Sequence, residues 1–418
     1  MKRVLCVVAT FAACCLSSLG AAESALAEGD LVAICGDSIT EQKDYSVDIE
    51  DYLLMCQPAD HLQAAQFGWG GETAPGFLAR MANDTLRFHP TVATTCYGMN
   101  DGGYAPLTPE RARQYHDSEL AIVQAFKQAG VRLIVVGSPG CVDSQTFRGK
   151  PDQAVMYNQT LAQLGDIARQ VASAEGVAFA DVHAAMMTAM EKAKASLGKD
   201  HQFAGGDGVH PGRNGHLAMA YAFLKALGCD GSIGTISVDL AASTAEATSG
   251  HKILSCAHGE VQVLSARYPF CFSGNPAQST TRSAISFLPF NQDLNRLMLV
   301  VSHPGAERIS VTWGAATKTF TAAALAQGIN LAAEFLDNPF VPYFADVESH
   351  VRGQQIYETP LVKNYIHNLS QYIDLLPAEK ATWTHLADLG IEQEQALRTA
   401  AVHAVVPVTH RLVLTAVK

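Results

Sequence analysis

Short apolar runs alternate with longer helix-like stretches from about residue 31 to residue 227, and this alternation limits the possible folds more than any other feature of the chain. A short apolar run between turn residues is typical of a buried strand. Strands that alternate with helices indicate a parallel sheet with helices on both faces. The strands are predicted at Leu31 to Cys35, Leu62 to Phe67, Val92 to Tyr97, Val131 to Val136 and Val177 to Asp181.

Helices are predicted between these strands. The clearest runs from Pro109 to Ala129, because Thr108 is a favoured N-cap residue and Gly130 follows the last turn. The others are expected near Val47 to Met55, Pro75 to Leu86, Asp152 to Ala174 and Gly215 to Ala226. This order predicts a three-layer α/β/α domain of the flavodoxin-like kind with a parallel five-stranded sheet.

The pattern changes after Gly228. Residues 231–250 are small and polar and predict a linker or an edge strand. Apolar residues then recur at every second position, which indicates a smaller, sandwich-like β unit. Its strands are expected at Ile253 to Ala257, Val261 to Ala266, Ala284 to Leu288, Leu297 to Val301, Ile309 to Trp313, Lys318 to Thr321 and Arg411 to Val417, with helices at Gln327 to Phe335 and Thr359 to Ala400. We therefore expect one domain at residues 28–230 and a β-rich and helical domain at 231–418.

Charge and composition exclude several classes of protein. The 29 Lys and Arg residues stand against 40 Asp and Glu, giving a net charge of -11 without any long basic run. Phosphate binding needs clustered cations, so nucleic acid and anionic membrane surfaces are poor candidate partners. Hydrophobic residues make up 48% of the chain and charged residues 17%, which excludes intrinsic disorder. The sequence does not indicate an oligomeric state.

Residues 1–27 have the pattern of an export signal. Two basic residues precede an apolar stretch from Val4 to Leu19, and small residues offer cleavage sites after Ala22 or Ala27. A membrane-spanning helix needs roughly 20 apolar residues, so a retained anchor is the weaker interpretation. The residues before Cys14 match a lipid-attachment site poorly, and a lipoprotein is a further alternative. We expect a periplasmic or extracellular protein without a membrane span.

Seven of the ten cysteines lie beyond the predicted signal, and an odd number cannot all pair internally. Export permits disulfides, and Cys256 with Cys271 is the favoured bridge. Cys35 and Cys96 lie in apolar strand-like runs, where a free thiol is a small core residue. There is no C-x-x-C pair, so neither a zinc site nor thioredoxin chemistry is expected, and the sequence shows no metal-ligand cluster.

Ser38 lies in the motif Gly36-Asp37-Ser38-Ile39-Thr40, directly after the first predicted strand. Ligands of an open α/β sheet bind beyond the carboxyl ends of its strands, so this serine is placed where chemistry would occur. Serine is also a common helix N-cap residue. The motif alone leaves both interpretations open.

The next two strands end in loops that offer hydrogen-bond donors. One is Gly68-Trp69-Gly70-Gly71-Glu72-Thr73 and the other is Tyr97-Gly98-Met99-Asn100-Asp101-Gly102-Gly103. The backbone N–H of Gly71 and the amide of Asn100 are candidates to bind a developing negative charge. The alternatives are a tight turn in which Thr73 caps the next helix, and an Asx turn at Asn100.

A fourth motif, Asp207-Gly208-Val209-His210-Pro211, precedes the last predicted helix of the first domain. A spacing of three lets the carboxylate of Asp207 reach Nδ1 of His210. The Nε2 atom is then free to act as a base on a serine. His216 follows on the helix, where we expect a structural role.

Together, in this order, the four motifs resemble those of the SGNH or GDSL hydrolase family of serine esterases. The resemblance covers roughly residues 31 to 228. It implies that Ser38 is the nucleophile, that His210 is the general base and then the acid, and that Asp207 orients His210. It further implies an oxyanion hole formed by the backbone N–H groups of Ser38 and Gly71 and by the side chain of Asn100.

The chain departs from the family pattern at one place. Many members have glycine shortly after the serine motif, whereas Glu41, Gln42 and Lys43 follow Thr40 here. This difference alters one wall of the expected cleft. There is no G-x-S-x-G motif, which argues against the α/β-hydrolase arrangement of the same chemistry.

The resemblance implies ester hydrolysis through an acyl-enzyme on Ser38, without a cofactor. Trp69 and Tyr104 lie on the predicted catalytic loops and Tyr45 follows Ser38 closely, so these aromatic side chains either stack on a sugar ring or serve in packing. The first expectation is a secreted esterase for short acyl groups, above all acetyl, on a small ester or a carbohydrate. The alternatives are a lysophospholipase or thioesterase for longer chains, and a non-catalytic glycan- or protein-binding protein on a hydrolase scaffold.

Overall fold

The computed structural model describes residues 26–59 and 61–417. The predicted signal peptide, residues 1–27, lies outside the described residues except for its last two. Within the described residues, no helix combines the length and the apolar character that crossing a membrane requires.

The first half of the chain contains the predicted parallel sheet. Its strands are β1 (Leu31–Gly36), β2 (Gln63–Gln66), β3 (Val92–Cys96), β4 (Leu133–Gly137) and β5 (Ala178–Ala180). They are all parallel and lie in the order β2-β1-β3-β4-β5. This is the flavodoxin-like order, and the predicted fold class is confirmed.

Helices cover both faces of this sheet. They are α1 (Ser38–Glu41), α2 (Tyr45–Met55), α3 (Ala74–Asp84), α4 (Pro109–Gln128), α5 (Ala154–Glu175), α6 (Val182–Leu197) and α7 (Arg213–Ala226). Side chains alternate along β1, so Val32 and Ile34 pack with α2, α6 and α7, whereas Ala33 and Cys35 pack with α3, α4 and α5. The sequence did not predict α6. Its N-cap is Asp181, which the prediction had placed at the end of β5.

The second half contains two further sheets, one of four strands and one of five. Their strands are β6 (Ser232–Asp239), β7 (Thr244–Ala247), β8 (His251–Ala257), β9 (Glu260–Ser265), β10 (Arg296–Ser302), β11 (Arg308–Trp313), β12 (Ala316–Thr321), β13 (Ile329–Asn330) and β14 (Val408–Ala416). The orders are β13-β10-β6-β7 and β12-β11-β14-β9-β8. Buried side chains of both sheets belong to one apolar core, as a sandwich requires.

Two predictions in this half need correction. Residues 231–250 contain the expected edge strand, β7, but also β6, which lies inside the sheet between β10 and β7. The apolar residues from Ala284 to Leu288 do not form a strand. They belong to a 3₁₀ turn at Arg282–Ser286 and the residues after it, where Ala284 and Leu288 point into the core.

The helices of the second half are α8 (Phe290–Asp293), α9 (Ala322–Gln327), α10 (Leu331–Glu334), α11 (Val341–Pro360), α12 (Leu369–Leu375) and α13 (Lys380–Ala404). One π-helical turn, Leu361–Ile366, continues α11. The predicted helix at Gln327 to Phe335 is therefore two short helices with β13 between them. The one predicted at Thr359 to Ala400 begins earlier and is interrupted twice.

The pair α11 and α13 covers the edge of the parallel sheet at β2. Glu358 accepts the backbone N–H of Gln66 at 2.8 Å, and Gln354 donates to the carbonyl of Ala64 at 2.8 Å. Arg398 of α13 donates to the side chain of Gln63 at 2.6 Å. Glu358 and Gln354 thereby satisfy backbone groups that an open edge strand would leave exposed.

All seven cysteines among the described residues are free thiols, so the prediction of a Cys256–Cys271 disulfide was wrong. Cys256 is partly exposed on the outer strand β8, whereas Cys271 is buried and its thiol contacts the backbone carbonyl of Pro269. Cys35 and Cys96 are buried, as the apolar runs around them predict.

Candidate active site

Ser38, His210 and Asp207 lie together at the carboxyl end of the parallel sheet. The Oγ atom of Ser38 is 2.7 Å from Nε2 of His210, although 172 positions separate the two residues. Nδ1 of His210 is 2.6 Å from Oδ2 of Asp207. A hydroxyl, an imidazole and a carboxylate in this chain of contacts have the geometry of a Ser-His-Asp triad.

Tight packing after β1 places Ser38 at the start of α1. Asp37 is the N-cap residue, and its Oδ1 atom accepts the backbone N–H of Ile39 at 2.9 Å. Ser38 is therefore not a cap, which was the alternative interpretation. A Cβ atom on Gly36 would lie 2.1 Å from Oγ1 of Thr40, so the turn requires glycine there.

The loop that carries Asp207 and His210 also depends on glycine. Gly208 has φ +73°, and a Cβ atom on it would lie 2.3 Å from the backbone nitrogen of Phe147. Oδ1 of Asp207 accepts the backbone N–H groups of Val209 and His210, each at 3.0 Å. Burial acts to raise the pKa of Asp207, but these hydrogen bonds and the contact with the His210 ring outweigh it and hold the pKa below its ordinary value.

Gly71 presents an unused backbone donor in the loop after β2. Its φ is +76°, and its N–H has no hydrogen-bond acceptor within residues 26–59 and 61–417. Ser38 is the first residue of α1, where the backbone N–H has no partner inside the helix. Both predicted backbone donors therefore remain available for a ligand. Thr73 also caps α3, as the alternative interpretation of this loop expected.

A buried ion pair between Arg80 and Glu72 stabilises the loop after β2. Arg80 donates from Nε and from its terminal nitrogen to the two carboxylate oxygens of Glu72, at 2.6 and 2.7 Å. It also donates to the carbonyl of Phe67 at 2.6 Å. Such a two-pronged contact fixes geometry as well as charge. The role of Arg80 was not predicted. Its signal in the sequence is an arginine three residues after Phe77, within the predicted helix Pro75 to Leu86.

The side chain of Asn100 bridges the loops after β2 and β3. Its Nδ2 atom donates to the carbonyl of Glu72 at 2.9 Å and lies 3.5 Å from Oδ2 of Asp37. Its Oδ1 atom accepts the hydroxyl of Tyr104 at 3.0 Å. The side chain of Asn100 therefore makes these contacts instead of the alternative Asx turn, and they orient its amide. One of the two N–H groups on Nδ2 has only the long contact to Asp37.

Two buried carboxyl groups lie beside this arrangement. Burial raises the pKa of Asp37 to about 7, although the N–H of Ile39 acts to lower it. Burial likewise raises the pKa of Asp101 to about 6, against hydrogen bonds from Ala74 and Gly98. Asp101 links the loops after β2 and β3 through these N–H groups, whereas Asp37 caps the start of α1. The sequence named both residues only as members of their motifs.

The three aromatic side chains proposed to contact substrate differ in their placement. Tyr45 is completely buried, stacks on Phe223 and donates or accepts a hydrogen bond at Thr40, so its assignment to the cleft is corrected to a core role. Tyr104 is half-buried beside Asn100. Trp69 is half-buried and has the guanidinium of Arg80 4.9 Å from its ring centre.

His216 has the structural role that the sequence predicts. It is buried, its Nδ1 atom accepts the backbone N–H of Tyr45 at 3.3 Å, and its Nε2 atom donates to Gln42 at 2.9 Å. Burial lowers the pKa of His216 to about 4, so the ring stays neutral at ordinary pH.

The triad is accessible from solvent, because Ser38 is half-buried and the side chains of His210 and Asp207 are 34% and 51% exposed. Cavities of about 430 Å³ beside Arg267 and about 360 Å³ beside Tyr365 include none of the residues around Ser38. No group of three His, Cys, Asp or Glu side chains within the described part of the chain is arranged to hold a metal ion.

Comparison with solved structures finds proteins that match nearly all of the chain and others that match about half of it. "BT4096 a gut microbial diltiazem-metabolizing enzyme" is 21% identical, with a TM-score of 0.70 over 94% of this chain and 98% of that one. The fold of both halves is therefore shared. Axe2, an acetylxylan esterase from Geobacillus stearothermophilus, is 22% identical over 48% of this chain and 95% of its own, with a TM-score of 0.40. LAE5, an α/β hydrolase from the metagenome of Lake Arreo, Spain, is 23% identical over 49% and 98%, also with a TM-score of 0.40.

A search of curated proteins gives no match. The model of the GDSL-like lipase/acylhydrolase family matches residues 34–218, the segment that contains all four motifs. Residues 34–218 are therefore a GDSL-like lipase/acylhydrolase domain, as the four motifs predict.

Proposed function

We propose that this protein is an exported serine esterase that removes short acyl groups, above all acetyl, from carbohydrate, with Ser38, His210 and Asp207 as its catalytic triad. The observation that carries the proposal is the pair of short contacts at His210, 2.7 Å to the hydroxyl of Ser38 and 2.6 Å to the carboxylate of Asp207. In this arrangement an adjacent base activates the serine hydroxyl as a nucleophile.

The reaction begins when Oγ of Ser38 attacks the ester carbonyl and Nε2 of His210 takes the hydroxyl proton. Asp207 stabilises the imidazolium that forms. His210 then gives the proton to the leaving alcohol as the carbon–oxygen bond of the ester breaks. A water molecule next attacks the acyl-enzyme with His210 as its base, and the carboxylic acid leaves as Ser38 regains its proton.

The oxyanion of the tetrahedral intermediate is bound by three donors in this proposal. They are the backbone N–H groups of Ser38 and Gly71 and the Nδ2 group of Asn100. The unpaired N–H of Gly71 supports the assignment, since a donor that is already placed and unpaired costs no rearrangement when charge develops. Asn100 contributes the N–H that faces Asp37 across 3.5 Å.

The surroundings of Ser38 favour a short acyl group. The half-buried side chains beside the site are aromatic, and each carries a cation over its ring: Arg148 lies 4.2 Å from the ring centre of Tyr104, and Arg80 lies beside Trp69. The cavities at Arg267 and Tyr365 do not reach the serine. A long acyl chain gains its affinity from buried apolar surface, whereas a polar, open site fits a small acyl group on a sugar.

Hydrolysis of nitrophenyl esters with acyl chains of two to twelve carbons tests the proposal. We expect a steep preference for acetate and release of acetate from acetylated polysaccharide. A rise in kcat/KM with chain length would favour the lysophospholipase or thioesterase alternative. The matched variants are Ser38→Ala, which should abolish turnover, and Ser173→Ala, an exposed serine at the far end of α5 that should leave it unchanged.

Export is part of the same proposal and rests on the sequence of residues 1–27. The mass of the protein isolated from its native host tests it. We expect a chain that begins at Glu23 or Glu28 and is recovered outside the cytoplasm. An intact N-terminus in the cytoplasmic fraction would contradict export without affecting the assignment of the triad.

A further inference from the structure

A residue from the second half of the chain reaches the proposed oxyanion loop. Nζ of Lys363, in the π-helical turn Leu361–Ile366, lies 2.6 Å from Oε1 of Glu41. The other carboxylate oxygen of Glu41 accepts the backbone N–H of Gly70 at 2.5 Å. One carboxylate therefore connects a lysine outside the family-matched segment to the residue next to Gly71.

The loop lies directly on Glu41. A Cβ atom on Gly68 would be 2.2 Å from the backbone nitrogen of Glu41, and one on Gly70 would be 2.9 Å from its carboxylate. These two glycines permit the close approach. A shift of the Glu41 side chain therefore acts directly on the peptide between Trp69 and Gly70, which immediately precedes the peptide that carries the N–H of Gly71.

Trp69, between these two glycines, contacts the same C-terminal turn. Nζ of Lys363 is 4.7 Å from the centre of the Trp69 ring, and the ring of His367 is 4.8 Å from it. His367 is itself held by a 2.8 Å contact between its Nδ1 atom and Oδ2 of Asp84. The loop is thus held through the carboxylate of Glu41 and through the ring of Trp69.

The backbone that carries Lys363 is firmly anchored. Leu361, Val362 and Ile366 are buried in the core formed with α3, α4 and α5. The turn is π-helical, a conformation that is rare and occurs frequently at functional sites. It allows Lys363 to point at Glu41 while its neighbours remain in the core.

We propose that Lys363 and Glu41 form a positioning pair that sets the peptide of Gly70 and Gly71 for oxyanion binding. This inference rests on the proposed function, because it assumes that Gly71 donates to the oxyanion. In this proposal the C-terminal half of the chain contributes to catalysis through Lys363. Glu41, which lies where the chain departs from the family pattern, also has a role. Lys363 is a positioning residue in this proposal, since it acts through Glu41.

The effect should be on the rate rather than on folding. Lys363 and Glu41 have side-chain exposures of 23% and 26%, and a partly exposed ion pair contributes little to the free energy of unfolding. Loss of one oxyanion donor reduces kcat by about 10² to 10³. Loss of the pair misaligns that donor without removing it, so a smaller reduction of about 10-fold is expected.

The experiment compares Lys363→Met with Lys318→Met in the full chain, using nitrophenyl acetate as substrate. Lys318 is a matched control, because its Nζ atom lies 3.0 Å from Glu334 and 5.8 Å from the ring centre of Phe335, away from the site. We expect Lys363→Met to reduce kcat about 10-fold at nearly constant KM. Lys318→Met should match the wild type, and Lys363→Arg should restore most of the rate because it keeps the charge.

Glu41→Gln gives a second readout on the same pair. The variant keeps an oxygen for the N–H of Gly70 but loses the charge that holds Lys363. We expect a reduction of kcat similar to that of Lys363→Met, and the double variant should be no slower than either single variant, since the two residues act as a unit.

Wild-type kcat in both Lys363→Met and Glu41→Gln would overturn the positioning pair and leave the proposed function intact. So would equal losses in Lys363→Met and Lys363→Arg together with a lowered Tm, because these would indicate a purely structural role. Failure of the wild-type protein to hydrolyse any ester of the series would instead overturn the proposed function itself.

Discussion

Asp207 contacts His210 at two points, Nδ1 of the ring and the backbone N–H, and it also accepts the backbone N–H of Val209. An asparagine can keep the backbone contacts but cannot stabilise an imidazolium, and it favours the wrong tautomer. We therefore expect Asp207→Asn to reduce kcat by about 10⁴ with little change in KM. Steady-state kinetics on nitrophenyl acetate measure this. A loss of less than about 10-fold would mean that His210 works without Asp207.

Asn100 is placed by two neighbours, the carbonyl of Glu72 and the hydroxyl of Tyr104. We expect Asn100→Ala to reduce kcat by about 10² to 10³, the usual loss for one oxyanion donor. Tyr104→Phe removes only the hydroxyl that orients the amide, so its loss should be clearly smaller. A larger effect of Tyr104→Phe than of Asn100→Ala would indicate that Tyr104, and not Asn100, touches the reacting atoms.

Glu119 of α4 is buried, and neither of its carboxylate oxygens has a hydrogen-bond partner among the described residues. Burial raises the pKa of Glu119 to about 8, and the charge of Asp101 adds to the shift. The folded state therefore holds a proton that the unfolded state releases near its ordinary pKa of 4.5. The contribution of Glu119 to the free energy of unfolding is therefore greatest below pH 4.5 and is lost as the pH rises through about 8.

Glu119→Gln should remove this contribution to the pH dependence. One pKa unit corresponds to about 1.4 kcal/mol, so between pH 5 and pH 7.5 the wild type should lose about 3 kcal/mol more of its unfolding free energy than the variant does. Denaturant unfolding at the two pH values measures the difference. The control is Glu110→Gln, an exposed residue of the same helix, which should follow the wild type. Parallel curves for Glu119→Gln and wild type would contradict the buried neutral carboxyl.

The loop from Asp207 to His210 depends on a backbone conformation rather than on side-chain packing alone. Gly208→Ala would combine a φ of +73° with a Cβ atom 2.3 Å from the backbone of Phe147. Gly176→Ala has a similar φ of +63° but nothing within 4 Å of the new Cβ atom. Both variants should lose about 1 kcal/mol from the left-handed conformation. Only Gly208→Ala should also displace His210 and reduce kcat at least about 10-fold; equal kinetics in both variants would contradict this.

Most elements could be predicted from local signals. The helix at Pro109–Gln128 begins at a capping threonine and ends before a glycine, and both signals are local. The helix at Val182–Leu197 was missed because its cap, Asp181, directly follows a strand of three residues. The run from Ala284 to Leu288 was mistaken for a strand because a buried turn and a buried strand are equally apolar.

The two halves of the molecule share an apolar core, although the sequence predicts a boundary between residues 230 and 231. Tyr52 of α2 stacks edge-on against Phe290 and donates to the carbonyl of Leu294. Val47 and Ile49 of α2 belong to the same buried cluster as Val261 and Leu297 of the β unit. The first half therefore depends on the second to cover its helices.

This shared core predicts cooperative unfolding. We expect calorimetry of the full chain to give a single transition, with equal calorimetric and van't Hoff enthalpies. A chain that ends at Asp230 should aggregate, because it exposes α2 and α7. Two resolved transitions in the full chain, or a soluble and active truncated chain, would contradict the shared core.

Some residues of the candidate site could be predicted from local sequence motifs, whereas others are brought there only by the fold. Ser38, Gly71 and Asn100 each stand in a short motif at a strand end, and His210 stands in one before a helix, so the sequence could name them. Lys363 is 322 positions from Glu41 and has no motif around it, so its contact follows only from the packing of α11 on the sheet edge. Tyr45 was misassigned because distance along the chain from Ser38 does not say which way a helical side chain points.

The most direct test of the central claim is labelling with a fluorophosphonate followed by peptide mass spectrometry. If Ser38 is the nucleophile and His210 its base, the folded wild-type protein should form one covalent adduct, located on Ser38, and His210→Ala should form it far more slowly. Unfolding the protein beforehand should abolish the adduct. No adduct on Ser38 in the folded protein, or an adduct on another serine in its place, would contradict the account.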